Sequence, residues 1–417
     1  MKQTKDSFLF GIATSSYHYE GHNYNSDWRR FEEDFFKDNP DQMCGVSIDY
    51  WNRWKEDHEY LTELGVGAFR TSVEWSRIQP APGEFDEEAL EQYKEMFRDL
   101  KKRNIKVVLT LFHYTSPLWF TQMGGFQDKR NLIYFKQFIS RTLEELHPYV
   151  DIVTPMNEIL VYATLGHLIA YWPPQHRSIL HFLRTVRNLI RSHFIVAEEI
   201  HQKKYDIEIS TAEHTRIFHF IEKAWYIELP AQMLNYMFNR AVTKSIVRNQ
   251  FVFPFGAEGR VTKRKFRPVD YIGIQFYPSV NISVIRDKFL PRLVPYKFNG
   301  TWTQALMTAK LKPKDLFLTI REYSKLGKPI LITESGVQTT VDRKRVVKLR
   351  ANILTVKRAI AKGLDIRGYF YFTLFDCFEW AEGYSKKFGL VAIDRDNNLK
   401  RKKKASFEAY KQTIREF

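Results

Sequence analysis

Short apolar runs rich in β-branched and aromatic residues recur along the chain. Between them lie longer stretches in which apolar positions return every three or four residues. The short runs predict strands at 8–15, 68–75, 106–113, 152–158, 207–212, 271–277, 330–334 and 368–374. The longer stretches predict amphipathic helices, among them 85–103, 131–146, 178–203 and 343–362. Eight strand–helix repeats of this kind imply an α/β fold, a closed parallel (β/α)8 barrel of the TIM type. No Pro/Gly/Ser-rich linker, low-complexity tract or composition shift divides the chain, so one domain is expected over 1–417. Two connections are long. Residues 213–269, which include the aromatic helical segment AWYIELPAQMLNYMFNRAV, and residues 278–328 are expected as loop insertions over the C-terminal face of the barrel, building the rim of a pocket.

The polar residues gather at one end of the predicted strands. His18 and Glu20 follow the first, Arg70 and Glu74 lie in the second, and His113 ends the third. Asn157 and Glu158 end the fourth, Tyr277 the sixth and Glu334 the seventh, and Glu379 and Trp380 come shortly after the eighth. In a parallel barrel those ends share one face, where enzymes of this fold keep their chemistry. Glu158 in TPMNEIL and Glu334 in ILITESGV each stand where an apolar run turns polar, far apart in the chain. Breaking an acetal bond between sugars needs one carboxyl to protonate the departing oxygen and a second to meet the developing positive charge. Two such glutamates fit that requirement.

Composition narrows the setting. The 417 residues, 44% hydrophobic and 15% aromatic, can bury a large core. No run approaches the ~18 apolar residues of a membrane span, and MKQTKDSFLFG is too polar for a signal peptide, so a soluble, cytoplasmic protein without membrane partners is expected. Cys44 and Cys377 are the only cysteines and have no metal-ligand spacing; reduced thiols are expected. The net charge of +16 is spread over nearly all helical segments. The one dense basic run, LKRKKKAS near the C-terminus, lacks interleaved aromatics, so it reads as a solvated surface and no nucleic-acid partner is expected. The histidines are dispersed and form no HExxH motif, and carboxyls can supply both proton transfer and nucleophile; neither metal nor organic cofactor is expected.

Seven stretches, FLFGIATSSYHYEG, FRTSVEWSRIQP, LTLFHYTSPLWF, TPMNE, DYIGIQFY, ILITESG and FTLFDCFEWAEGYSKKFGLVAID, resemble in order the motifs of glycoside hydrolase family 1, the β-glucosidase and β-galactosidase family. The resemblance spans essentially the whole chain. It implies a retaining, exo-acting β-glycosidase that removes terminal β-D-glycosyl residues through a covalent glycosyl-enzyme. Glu158 matches the acid/base and Glu334 the nucleophile. Arg70 and Tyr277 match partners that keep the nucleophile ionised, while burial and the charge of Glu334 are expected to raise the pKa of Glu158. Asn157 matches the ligand of the sugar 2-hydroxyl and His113 that of the 3-hydroxyl. Glu379 matches a carboxylate that accepts two sugar hydroxyls, and Trp380 a sugar-binding indole beside it.

Several positions depart from the family pattern. His18 stands for a glutamine, Tyr114 for a tryptophan, Gln275 for an asparagine, Phe372 for the tryptophan under the reacting sugar, and Ile159 for a proline. All surround the sugar and spare both carboxylates, so the resemblance implies retained hydrolysis of a small β-glycoside whose sugar configuration, gluco, galacto or fuco, stays open. The segment 309–317 lacks the family's aglycone-gripping indole, which implies an open, unselective leaving-group site. Two rival readings are a 6-phospho-β-glycosidase and a non-catalytic sugar-binding barrel. Retained Glu379, which would repel a phosphate, and Phe388 in place of a phosphate-binding tyrosine count against the first; the paired carboxylates count against the second.

Overall fold

The computed structural model describes residues 8–220, 225–256, 259–286, 291–295 and 312–417. Strands β1 (Leu9–Ala13), β2 (Ala68–Ser72), β3 (Lys106–Phe112), β4 (Ile152–Met156) and β5 (Glu208–Ile209) alternate with helices in the first half, and β6 (Glu213–Thr215) follows β5 directly. After β7 (Phe218–Phe220) come β8 (Ile272–Phe276), β9 (Val280–Arg286), β10 (Pro291–Pro295), β11 (Ile330–Gly336) and β12 (Ile366–Phe372). One parallel sheet runs β5-β4-β3-β2-β1-β12-β11-β8-β6. Its two outermost members are successive in the chain, and a bridge from Ser210, just after β5, to Tyr271, just before β8, spans the gap. The sheet therefore curls back on itself as a (β/α)8 barrel in which β5 and β6 are two halves of the fifth strand.

Every residue of β2, β4, β8 and β11 is buried, as expected of parallel strands covered on both faces. A small cluster that includes Ala13, Ala68, Val108, Ile152, Leu331, Phe370 and Phe372 fills the inside of the barrel, while a much larger one lies between strands and helices. Gly11 makes room for this filling, because a Cβ there would run into the Phe370 ring. The surrounding helices take their apolar stripe from the predicted periodicity: Glu87–Lys102 buries Ala89, Leu90, Tyr93, Met96, Phe97 and Leu100. Their starts are capped as the sequence requires, by the Asp86 carboxylate accepting from Ala89 N–H and the Ser178 hydroxyl from His181 N–H.

Three predicted features need correction. The fifth strand, expected at 207–212, pairs with β4 only through Glu208 and Ile209, then shifts to β8 through Glu213–Thr215. The long connections hold more than the one helical segment expected there, which the structure forms as Trp225–Asn239: β7, β9 and β10 make a small separate sheet, and helices Ala241–Arg248 and Pro313–Ser324 are added. The basic run is only partly solvated. Arg401 is buried and donates through Nε and Nη2 to Asp57, each bond 2.9 Å, and Lys404 Nζ donates to Asp376 at 2.7 Å. Both cysteines are buried and unpaired. No helix among the described residues is long and apolar enough to cross a membrane.

Candidate active site

A cleft of about 610 Å³ opens at the C-terminal ends of the barrel strands. Glu158, which follows β4, and Glu334, on β11, both line it. Glu334 accepts hydrogen bonds from three side chains, on or just after two strands. Arg70 Nη1 on β2 and Gln275 Nε2 on β8 (2.8 Å) donate to Oε1, and the Tyr277 hydroxyl donates to Oε2 at 2.7 Å. Arg70 is wholly buried; its other amino group donates to Asn157 Oδ1 at 2.6 Å, as does Gln275 Nε2. A single guanidinium thus ties the nucleophile candidate to the residue preceding the acid/base candidate.

Glu158 is held differently. The Tyr114 hydroxyl donates to its Oε2, and His214 Nδ1 lies 2.9 Å from its Oε1. Arg216 Nε donates to His214 Nε2 at 3.3 Å, so Nε2 is an acceptor and the ring proton sits on Nδ1, facing the carboxylate. The His214 and Tyr277 rings stack, with centroids 5.0 Å apart and planes within 6°. Each ring contacts one of the two carboxylates, so the stack bridges them. Behind it, the Glu213 carboxylate accepts the backbone N–H groups of Ile159 and Leu160, at the start of the short helix Ile159–Ala163 that Glu158 begins.

Three residues that line the cleft have strained backbone. Glu158 (φ 43°), Tyr114 (φ 72°) and Trp380 (φ 49°) are all in the left-handed region, which costs non-glycine residues about 1–3 kcal/mol each. For Glu158 the bond from its N–H to Ala212 O (2.7 Å) helps to fix that turn.

The sugar-facing candidates line the same cleft: His18, His113, Tyr114, Asn157, Phe372, Glu379 and Trp380. The His18 ring packs edge-on to Trp380 and to Phe372, and its Nδ1 bonds the Ser15 hydroxyl at 2.6 Å. Burial lowers His18 to a pKa of about 3, so it is neutral; its Nε2 has no hydrogen-bond partner and lies 3.7 Å from Glu379 Oε2. His113 stacks on Trp380 and is likewise driven well below its ordinary pKa, by burial and then by the Arg70 charge; its Nδ1 too lacks a partner. Glu379 is raised to about 8 by burial and by the charge of Glu334. Buried polar atoms left open around one cavity are what a hydroxyl-rich ligand would satisfy.

Some expectations shift. Gln275 does not line the cleft; its amide is committed to Glu334 and Asn157. Tyr114 lines it but spends its hydroxyl on Glu158. Glu20 and Glu74 belong to the buried framework, accepting from Tyr93 and from Ser16, Asn23 and Thr115. Glu334 was expected to be held fully ionised, yet burial outweighs the opposing Arg70 charge and, with the Glu158 charge, holds its carboxyl above the ordinary range. His214 and Arg216 were missed. A signal existed: the fifth strand was the one predicted strand end to which no polar residue had been assigned. Of the connections expected to form the rim, Arg216, Phe218, Phe238 and Pro278 do line the cleft, while 309–311 lie outside the described residues.

Comparison with known proteins agrees with this geometry. The chain is 27% identical to a 1,4-beta-D-glucan glucohydrolase of Thermotoga neapolitana, over 100% of this chain and 99% of the relative. It is also 27% identical to Beta-glucosidase A of Thermotoga maritima, over 94% of each. The structure is similar to a beta-glycosidase from Pyrococcus horikoshii with a TM-score of 0.88 and 30% identity, covering 99% of this chain and 95% of that one. The model of glycosyl hydrolase family 1 matches residues 1–247 and 270–416, and with that span the chain belongs to glycosyl hydrolase family 1 and is a glycoside hydrolase.

Proposed function

We propose that this enzyme is a retaining, exo-acting β-glycosidase of the β-glucosidase type, with Glu334 as nucleophile and Glu158 as acid/base. The observation that carries this reading is the stacked His214–Tyr277 pair, which touches Glu158 on one side and Glu334 on the other. It supports the close carboxylate spacing of about 5–5.5 Å used by retaining enzymes, rather than the wider gap that admits a water for inversion. The relatives named as β-glucosidases favour the gluco configuration, and the Thermotoga maritima enzyme has been solved with deoxynojirimycin and with glucoimidazole.

In the first step Glu334 attacks the anomeric carbon, the glycosidic C–O bond breaks, and the departing oxygen takes the proton from Glu158. In the second, Glu158 removes a proton from water as the oxygen attacks the same carbon, and the ester bond to Glu334 breaks. Ester formation removes the negative charge of Glu334, so the environment of Glu158 changes between its two tasks. Arg70, Gln275 and Tyr277 hold Glu334 in line, and Asn157, fixed by Arg70 and Gln275, is positioned for the 2-hydroxyl. His18, His113, Glu379 and Trp380 surround the remaining hydroxyls, over the apolar face of Phe372.

The test is a panel of 4-nitrophenyl gluco-, galacto-, fuco-, manno- and 6-phospho-β-glycosides, with product anomers followed by NMR. Wild type is expected to release the β-anomer first, and Glu334→Ala to fall to background. Glu158→Ala is expected to lose about 10²–10⁴-fold on substrates with poor leaving groups. Inversion, or a wild type active only on 6-phospho-glycosides, would sink this assignment.

A further inference from the structure

A second cavity, of about 530 Å³, lies between residues 123–129 and the long helix Ile179–Lys203, and its lining shares no residue with that of the catalytic cleft. Its walls are basic. Lys129, His181, Arg184, Arg187 and Arg191 all line it, and the last four stand three or four residues apart on one helix, so they share a face. One lining carboxylate, Asp128, stands against them, and both of its oxygens already accept from Arg130, the shortest bond being 2.6 Å. Like charges at this spacing repel, and the Arg191 guanidinium is held below its ordinary pKa by burial and then by the Arg187 charge. An anion placed among such a row relieves that repulsion.

The cavity is also held in shape. Asn188, which is buried, accepts from Arg191 Nη1 through Oδ1 and donates through Nδ2 to Phe126 O, each bond 2.7 Å, and so pins the basic helix to the segment facing it. Two lining side chains keep a buried polar atom with no hydrogen-bond partner: Nδ1 of His181 and Oε1 of Gln127. An imidazole nitrogen can donate to an anionic oxygen, and an amide oxygen accepts from a hydroxyl. Apart from His181 no ring is found among the described lining residues, so a nucleic-acid base has no platform to stack on, whereas a concave site of this size suits a small ligand. The planar guanidinium fork matches the oxygens of a phosphate.

We infer that this second cavity binds a phosphate group, as inorganic phosphate or as the ester of a small hydroxylated molecule, with the exposed Arg184 and Lys129 and the half-buried His181 as its contacts. The site is independent of the glycosidase reading. The test titrates the whole protein with inorganic phosphate, glycerol 1-phosphate and glycerol, by isothermal calorimetry and by thermal unfolding, at an ionic strength fixed with sodium chloride. Both phosphates are expected to bind saturably and to raise Tm, and glycerol to do neither. Arg184→Glu and Lys129→Glu should each weaken both phosphates about tenfold or more, the worth of one charge-assisted hydrogen bond, while turnover of 4-nitrophenyl β-glucoside stays at the wild-type rate. Arg343→Glu makes the same change of charge at an exposed arginine on helix Asp342–Ala361 and should leave binding as it is. Tighter binding of glycerol 1-phosphate assigns the site to a phosphoester whose hydroxyl reaches Gln127 Oε1; equal affinities assign it to the free ion. No saturable binding below about 10 mM, binding that survives Arg184→Glu and Lys129→Glu, or an equal loss in Arg343→Glu overturns the inference and leaves the catalytic cleft untouched.

Discussion

The two carboxylates are set apart by what donates to them. Glu334 has a guanidinium, an amide and a phenol; Glu158 has a phenol and an imidazole whose far nitrogen accepts from Arg216. His214 therefore acts on the acid/base through position and proton location. Replacing it with alanine should reduce kcat/KM about 10–100-fold for alkyl or phenyl leaving groups, which need a proton, and far less for 2,4-dinitrophenolate, which does not. An equal loss on both would assign His214 to folding instead. The left-handed backbone at Glu158, Tyr114 and Trp380 fits this picture, since such conformations persist only where neighbours over-determine them.

Among the elements, the divided fifth strand matters most. After Ile209 the chain leaves β4, and by Glu213 it is paired with β8, which turns Glu213 towards the helix after Glu158 and places His214 beside its carboxylate. Burial, and then the Glu158 charge, push Glu213 well above the ordinary carboxylate range, while its oxygens serve the N–H groups of Ile159 and Leu160. Glu213→Gln keeps an acceptor and should be close to neutral. Glu213→Ala strands two buried donors and should cost about 1–3 kcal/mol in chemical denaturation, with kcat falling as Glu158 loses its support; equal stability of the two variants would contradict this. The other strands were legible because each pairs with both of its neighbours within a single apolar run. The fifth was not: its apolar signal ends at Ala212, while its second half, Glu213-His214-Thr215, is polar because it carries the site. The interrupted ladder is what the alternation of apolar residues could not express.

For the whole molecule, charge is where sequence and structure part most. The basic run near the C-terminus looked like surface, because a run of like charges carries no sign of which member turns inward. Only the pairing of its strand, Lys400–Lys403, with Val391–Asp394 sends Arg401 into the core against Asp57. Buried titratable groups also set the pH response. Glu20 and Glu379 are raised to about 8 and Asp27 to about 7, chiefly by burial, so the folded state binds more protons than the unfolded chain and stability is lost as pH rises through those values. His18 and His167, lowered to about 3, and His58 and His193, lowered to about 4, act in the opposite sense, but their effect is complete once pH exceeds the ordinary histidine value of 6.5. Between about pH 6.5 and 8 only the carboxyls contribute, and Tm measured by calorimetry should fall across that interval; a rise would refute the assignment. The barrel, finally, closes at a seam. Where most neighbouring strands share four or five residue pairs, β4 and β5 share two. A ring loosens first where its rungs are fewest, and this gap lies five residues before the imidazole on Glu158. Warming would thus disarm the proton donor while the rest of the cylinder still stands, so the temperature at which turnover fails is set by a local opening and not by the melting of the fold.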